Sequence, residues 1–251
     1  PEEFPPSFRQ LIIDKSSKII RETSVIIPTW NRAKTIIRAI DSALLQTIKP
    51  LEVIVCDDGS IDNTLIKIKE RYPNSLKIKK LKIIEDSHKG VSKARNNGLN
   101  LAKGKYFAYL DSDNQWHCDH LIYLAFFLTY KKIYDISYST YKIFGERVKD
   151  KIIPIREFSY SKLKKHNFID LNCILHHRNL FDELGGFDTS LRRLVDWKLL
   201  LKYTQTSLGT KVIPVNIATV NYWMSKKFLS NISYNEEIDN LNYENINKNL
   251  N

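Results

Sequence analysis

Asp111-Ser112-Asp113 is the sharpest chemical feature of the sequence: two carboxylates one residue apart, closing the apolar run Tyr106 to Leu110. Hard oxygen ligands on a turn suit Mg²⁺ or Mn²⁺ held together with phosphates. A divalent ion there would neutralise the charge that builds on a leaving diphosphate. Two more polar clusters follow apolar runs in the same way. Pro28-Thr29-Trp30-Asn31-Arg32 comes after Val25-Ile26-Ile27, and Asp57-Asp58-Gly59 after Val53-Ile54-Val55-Cys56. Asp57 and Asp58 can ligate a metal, accept hydrogen bonds from a base or ribose, or cap the next helix. Lys89, Lys93 and Arg95 flank Gly90, and a guanidinium such as that of Arg95 pairs bidentately with phosphate.

These clusters need a scaffold that brings them together. Short apolar runs at 25–27, 53–56, 81–84 and 106–110 read as buried strands. Apolar residues at helical spacing between them predict helices over 33–47, from about 60 to 72, and over 92–102. Strand and helix alternating at this rhythm predict an α/β fold with a mostly parallel sheet flanked by helices. Ligands bind such a sheet beyond the carboxyl ends of its strands, where all three polar clusters fall. After Leu128 the pattern loosens. A half-exposed strand is expected over 136–141, short helices over 178–184 and 196–203, and a late strand over 219–223. Residues 1–23 read as an irregular lead-in and 231–251 as a polar tail.

The charge of +11 in 251 residues favours anionic partners: nucleic acid, an anionic membrane face or a phosphorylated substrate. Three cysteines without a CxxC pattern argue for a reducing, cytoplasmic setting. The sequence has no apolar run of membrane-spanning length. Its start has no secretory pattern and no initiator Met, so a piece of a longer chain is expected.

The segments PTWNR (28–32), DDGSIDNT (57–64), GVSKARNNGL (90–99) and LDSDN (110–114) occur in an order that resembles the donor half of family 2 glycosyltransferases with the Rossmann-like GT-A fold. GGFDTSLRRLVDWKLLLKY at 185–203 resembles the acceptor half of that family. The resemblance implies a donor half over 24–115 and a smaller acceptor half over 116–230. It implies an inverting sugar transfer from a nucleotide-sugar donor, by default a UDP-sugar, to a glycan or lipid-linked acceptor. By the same resemblance Pro28, Thr29 and Asp58 wall the nucleoside, with Asn31, Arg32, Asp57 and Ser112 in the same pocket. Arg95 falls at a basic donor contact. Asp113 is the direct ligand of Mn²⁺ or Mg²⁺, and Asp111 faces the ribose or a metal-bound water. Asp196 matches the catalytic base, with Val195 where the family usually carries Glu. Trp197 would stack on an acceptor sugar, and His176 would line the acceptor pocket. Work at the inner face of an anionic membrane fits the charge.

Other readings compete. A sugar nucleotidyltransferase would share the layout but needs a Gly-rich basic loop after the first strand, where this chain has PTWNR. A non-catalytic sugar- or nucleotide-binding module of a larger polymerase is the second alternative. No nucleic-acid motif, Walker A or GxGxxG sequence is present, so nucleic acid is not expected as a partner. His117, Cys118, Asp119 and His120 lack the second pair that a structural zinc site uses, and read as a surface helix start. Trp116, Tyr222 and Trp223 read as core aromatics before sugar platforms.

Overall fold

The computed structural model describes residues 6–129, 133–145 and 148–224. Strands β1 (Thr23–Thr29), β2 (Glu52–Asp57), β3 (Leu81–Glu85) and β4 (Tyr106–Tyr109) lie parallel in the order β3-β2-β1-β4. The chain steps outward from β1 to β3 and then returns to the other side of β1 to form β4. This reversal opens a crevice beyond the carboxyl ends of β1 and β4. β1 and β2 are buried along their whole length, which is why they read as unbroken apolar runs rather than alternating ones.

Alternation within those runs feeds two cores. Val25, Ile27, Val53 and Val55 face helices α1 (Pro6–Arg21), α2 (Ile36–Leu44) and α6 (His120–Thr129). Ile26, Ile54 and Cys56 face α5 (Val91–Leu101) and α9 (Val195–Tyr203). Gly98 lets α5 sit directly on β2: a Cβ there would lie 2.5 Å from Cys56 Sγ.

The second half extends the same sheet through β5 (Gln115–Trp116), β6 (Ile136–Gly145), β8 (Ile174–His177) and β9 (Val212–Met224), in the overall order β3-β2-β1-β4-β8-β6-β9-β5. β8 joins the halves by pairing antiparallel to both β4 and β6, while β6 and β9 pair in parallel. β7 (Val148–Ile152) hangs on the free part of β6. Short helices α3 (Thr64–Arg71), α4 (Pro73–Lys77), α7 (Tyr160–Leu163) and α8 (Asn179–Leu184) complete the chain.

Two expectations are corrected, and one strand was missed. Within the stretch read as an irregular lead-in, Pro6–Arg21 form helix α1, and residues 1–5 lie outside the described residues. Ile12, Ile19 and Ile20 share one face at helical spacing and are buried against α6, where Ser16 Oγ donates to the Ile122 carbonyl at 3.0 Å. The start of α6 is a surface feature only at His117 and Cys118. His120 is fully buried, stacked on Trp116 at 4.2 Å and hydrogen-bonded to Thr219 Oγ1 at 2.7 Å. β8 was not foreseen at all. The polar tail expected at 231–251 lies outside the described residues.

Candidate active site

At the end of β4 the chain turns through Asp111-Ser112-Asp113, and Arg95 of α5 reaches across to it. Arg95 Nη2 donates to Asp111 Oδ1 at 2.8 Å, and Nη1 to Asp196 Oδ1 at 2.7 Å. The guanidinium is 4% exposed, and its carbon lies 5.1 Å from the Phe187 ring centroid. One buried cation therefore clamps an acid of the β4 turn to an acid in the first turn of α9. The residue before that helix, Leu194, sits at φ 55, a left-handed conformation that costs energy for a branched side chain and sets the entry of α9. Asp196 Oδ2 takes no hydrogen bond among the described residues and opens to the crevice, with the side chain 35% exposed.

Two residues that the motifs did not flag complete the centre. Asn172 accepts from the Asp111 backbone N–H at 2.6 Å and donates through Nδ2 to Asp111 Oδ2 at 3.1 Å and to Asp170 Oδ1 at 2.8 Å. Burial, then the charges of Asp111 and Asp196, push the Asp170 carboxyl up to about 7. Asp196 is also raised, by burial first and Asp111 second, with Arg95 opposing. Asp113 is raised by burial and by Asp111. The signal for Asp170 and Asn172 in sequence was faint: two polar residues just before the apolar run Cys173-Ile174-Leu175.

Crowded carboxylates of this kind test whether a divalent cation belongs here. Arg95 pairs with two acids, Asp111 and Asp196, while Asp170 is tied to Asp111 through Asn172 and Asp113 closes the same turn. Asp113, Asp170 and Asp196 are held above the ordinary carboxylate range. The Asp113 side chain is 46% exposed and its carboxylate faces Arg32 Nε at 3.7 Å, while its carbonyl accepts from Arg38 Nη2 at 2.6 Å. An all-oxygen donor set with surplus negative charge fits Mg²⁺ or Mn²⁺. His117, Cys118 and Asp119 also bring ligand atoms within 4.8 Å of one another, but Asp119 is engaged by Thr47 Oγ1 at 2.5 Å and Arg9 at 3.4 Å.

Asp170 also carries a pH signature. Its folded carboxyl binds a proton that the unfolded chain, at the ordinary aspartate value of 3.8, has already released. Stability is therefore lost as pH rises between those two values, and the loss is complete above the folded one. Asp170→Asn removes this term while keeping an oxygen for Asn172. The melting-temperature gain of the metal-free variant over wild type is expected to widen from about pH 4 to about pH 7 and then level off. A gain that stays constant across that range would show that Asp170 is not held protonated.

The ends of β1 and β2 form the other wall. Pro28 and Thr29 are buried, and Thr29 Oγ1 has no hydrogen-bond partner among the described residues, an orphan that a ligand would satisfy. Asp58 accepts from the backbone N–H of Lys89 at 2.7 Å and Gly90 at 3.1 Å and faces His88 Nδ1 at 2.8 Å. It thereby fixes the loop that starts α5. Beside it Trp30, 45% exposed, stacks on His88 at 4.3 Å. The sequence reading assigned this aromatic pair no role. Ser112 is buried between the two acids of the turn.

Several expected ligand contacts are used internally instead. Asp57 spends both oxygens on its own turn, accepting from Ser60 Oγ at 2.5 Å and Ser60 N at 2.9 Å. Asn31, at φ 52, accepts from Ile61 N at 2.9 Å and Asp62 N at 3.3 Å, tying the β1 loop to the β2 loop. Trp197 does not face an acceptor: it is 6% exposed, and its Nε1 donates to the Leu163 carbonyl at 2.7 Å. The helical turn that points Asp196 outward points its neighbour inward. His176 is fully buried, bonded to Tyr109 Oη at 2.9 Å and stacked on that ring, so it is core and lines no pocket. Burial holds its imidazole down at about 4.

An open α/β sheet with a crevice at its reversal point, walled by an orphaned threonine and crowded acids, is an arrangement into which a phosphorylated ligand and a divalent cation would fit. Known proteins agree. The glycosyl transferase family 2 profile matches residues 24–183, and the chain belongs to this family. It is 28% identical over 270 residues to the chondroitin synthase of Pasteurella multocida (strain Pm70), covering 96% of this chain and 27% of that protein. It is 39% identical over 121 residues to the Escherichia coli UDP-Glc:alpha-D-GlcNAc-diphosphoundecaprenol beta-1,3-glucosyltransferase WfaP, covering 48% of this chain and 46% of WfaP. The chain thus spans less than half the length of either relative. Residues 1–349 of S. aureus TarS, solved with UDP-GlcNAc, superpose with a TM-score of 0.64 at 23% identity, over 81% of this chain and 58% of that one. The fold is GT-A.

Proposed function

We propose that this domain is an inverting glycosyltransferase that moves a sugar from a nucleoside-diphosphate donor to a glycan or lipid-linked hydroxyl. The observation that carries the reading is the Arg95 clamp, which sets Asp111 of the β4 turn and Asp196 on one crevice. A nucleoside would lie between Pro28, Thr29 and Asp58, with the open face of Trp30 available to a planar base. Asp113 and Asp111 would hold Mn²⁺ or Mg²⁺. When bound, the ion supplies charge neutralisation to the departing diphosphate. Asp196 Oδ2 takes the proton of the acceptor hydroxyl while Arg95 holds Oδ1, so the base is aimed through one oxygen and reacts through the other. Its raised carboxyl makes it a better proton acceptor than an ordinary aspartate. Attack opposite the leaving diphosphate inverts the anomeric carbon in one displacement.

A UDP donor and a lipid-diphosphate or polysaccharide acceptor are supported by what the named relatives bind and make. The division into a donor half at 24–115 and an acceptor half at 116–230 belongs to the same proposal. So does a setting at the cytoplasmic face of an anionic membrane, supported by the +11 charge; flotation with anionic vesicles tests it. Among the described residues no helix is long and apolar enough to cross a membrane.

A thermal-shift panel of UDP, GDP, CDP and dTDP, each with and without Mn²⁺, tests the reading on wild type and Asp113→Ala. Metal-dependent stabilisation by one nucleotide, abolished in the variant, is expected. No shift with any of the four would overturn it in favour of a non-catalytic module.

A further inference from the structure

We propose that the Tyr222 hydroxyl donates a hydrogen bond to the diphosphate of the bound donor, beside Asp113. The inference rests on the donor reading above. β9 delivers Tyr222 to that place. Asn221 pairs with Gln115 and Val220 with Trp116 in the antiparallel β5–β9 ladder, and Trp223 N reaches Asn114 Oδ1 at 3.4 Å. Tyr222 therefore passes alongside the chain one to two residues beyond Asp113. Strand alternation puts it on the side of Val220, which is buried, and not on the side of the exposed Trp223. The ring is half-buried and packs on Tyr141 at 5.5 Å between centroids, so its position is set by the sheet.

The phenol has no hydrogen-bond partner among the described residues, although its ring is sheltered on a strand. Burial, then the charges of Asp170, Asp111 and Asp113, hold its proton well above the ordinary tyrosine range. Such a group is a neutral donor at any working pH. Strand alternation puts Tyr222 on the same side as Val220 and its partner Trp116, whose Nε1 donates to the carbonyl of Asn172, the residue that binds Asp111 and Asp170. A phosphate oxygen brought in with a divalent cation is an acceptor of the kind this donor lacks, and a charged acceptor makes the bond stronger than a neutral one. The sequence reading placed Tyr222 with the core aromatics Trp116 and Trp223. The structure separates the three, with Trp116 in the core, Trp223 at the surface, and Tyr222 half-buried between them.

Titration calorimetry of Mn²⁺-loaded wild type, Tyr222→Phe and Tyr141→Phe with UDP, and separately with uridine, tests this. Tyr222→Phe keeps the ring and its packing, and is expected to bind UDP about tenfold more weakly while binding uridine as wild type does. Tyr141→Phe, the neighbouring phenol, is expected to match wild type for both. Unchanged UDP affinity in Tyr222→Phe, or an equal loss for UDP and uridine, overturns the inference and leaves the donor reading standing. A wild type that binds no UDP, GDP, CDP or dTDP overturns the donor reading and this inference together.

Discussion

Asp196→Asn is expected to fold, to bind the nucleoside diphosphate, and to lose sugar transfer by about 10²–10⁴-fold, the usual worth of a positioned base. The geometry makes the three outcomes separable. The amide oxygen of Asn still accepts from Arg95 Nη1, so the clamp on α9 persists. The folded state tolerates a neutral group there, because burial and Asp111 already disfavour the charge of Asp196. The nucleoside wall at Thr29 and Asp58 and the acids of the β4 turn are untouched. What disappears is the free lone pair at Oδ2. Nucleotide release with a competent acceptor, measured beside a UDP thermal shift, reads both properties at once. Full turnover in the variant would remove Asp196 from the mechanism, and loss of the thermal shift would make it a structural residue.

Arg95→Met is expected to damage both stability and catalysis. Met fills the space of the aliphatic stem but leaves Asp111 and Asp196 facing each other without their shared cation. Breaking a buried ion pair on one side costs about 3–5 kcal/mol; here both carboxylates keep about a third of their surface, so about 2–3 kcal/mol is expected. For a chain of this size that is a drop of roughly 5–10 °C in melting temperature. Mn²⁺ is expected to restore part of it by neutralising Asp111. The sign of the pH effect is also set. Arg95 favours the charged form of Asp196, so its removal raises that carboxyl further. The base is then protonated over a wider range, and the acid limb of the rate profile moves to higher pH. A variant with unchanged melting and an unmoved acid limb would show that the clamp has no role.

Much of the donor wall was legible because it is local. Helices separate the four apolar runs, and three of the runs carry polar clusters at their carboxyl ends, so the convergence of those clusters follows from the α/β rhythm alone. Asp111, Ser112 and Asp113 close β4, and Thr29 and Asp58 lie at the mouths of β1 and β2. The role of Arg95 was legible only by type. A basic residue in the crevice was expected to meet a phosphate, and the fold spends it on two carboxylates instead. Helix α1 was missed because Pro5, Pro6 and mixed polarity obscured a buried face that exists only once α6 is there to cover it.

The residues after Leu128 were hardest to read, for a related reason. β8 is a buried strand of four residues wedged between β4 and β6, too short for its period to declare it. With β8 unplaced, His176 could be taken for a pocket residue, and Asp170 and Asn172 drew no notice. The helical period of α9 was visible, yet which of two adjacent residues faced the crevice was not. Asp196 and Trp197 point in different directions, and only the packing of α9 on the second core decides that the indole goes in and the carboxylate goes out. The sequence by itself determined the strand-helix alternation, the acids at the strand ends and the family, since each is written in contiguous residues. The tertiary structure alone decided which charges meet, because Arg95 and Asp196 are 101 residues apart and Asp111 and Asn172 are 61, and no local pattern encodes a contact made across a sheet.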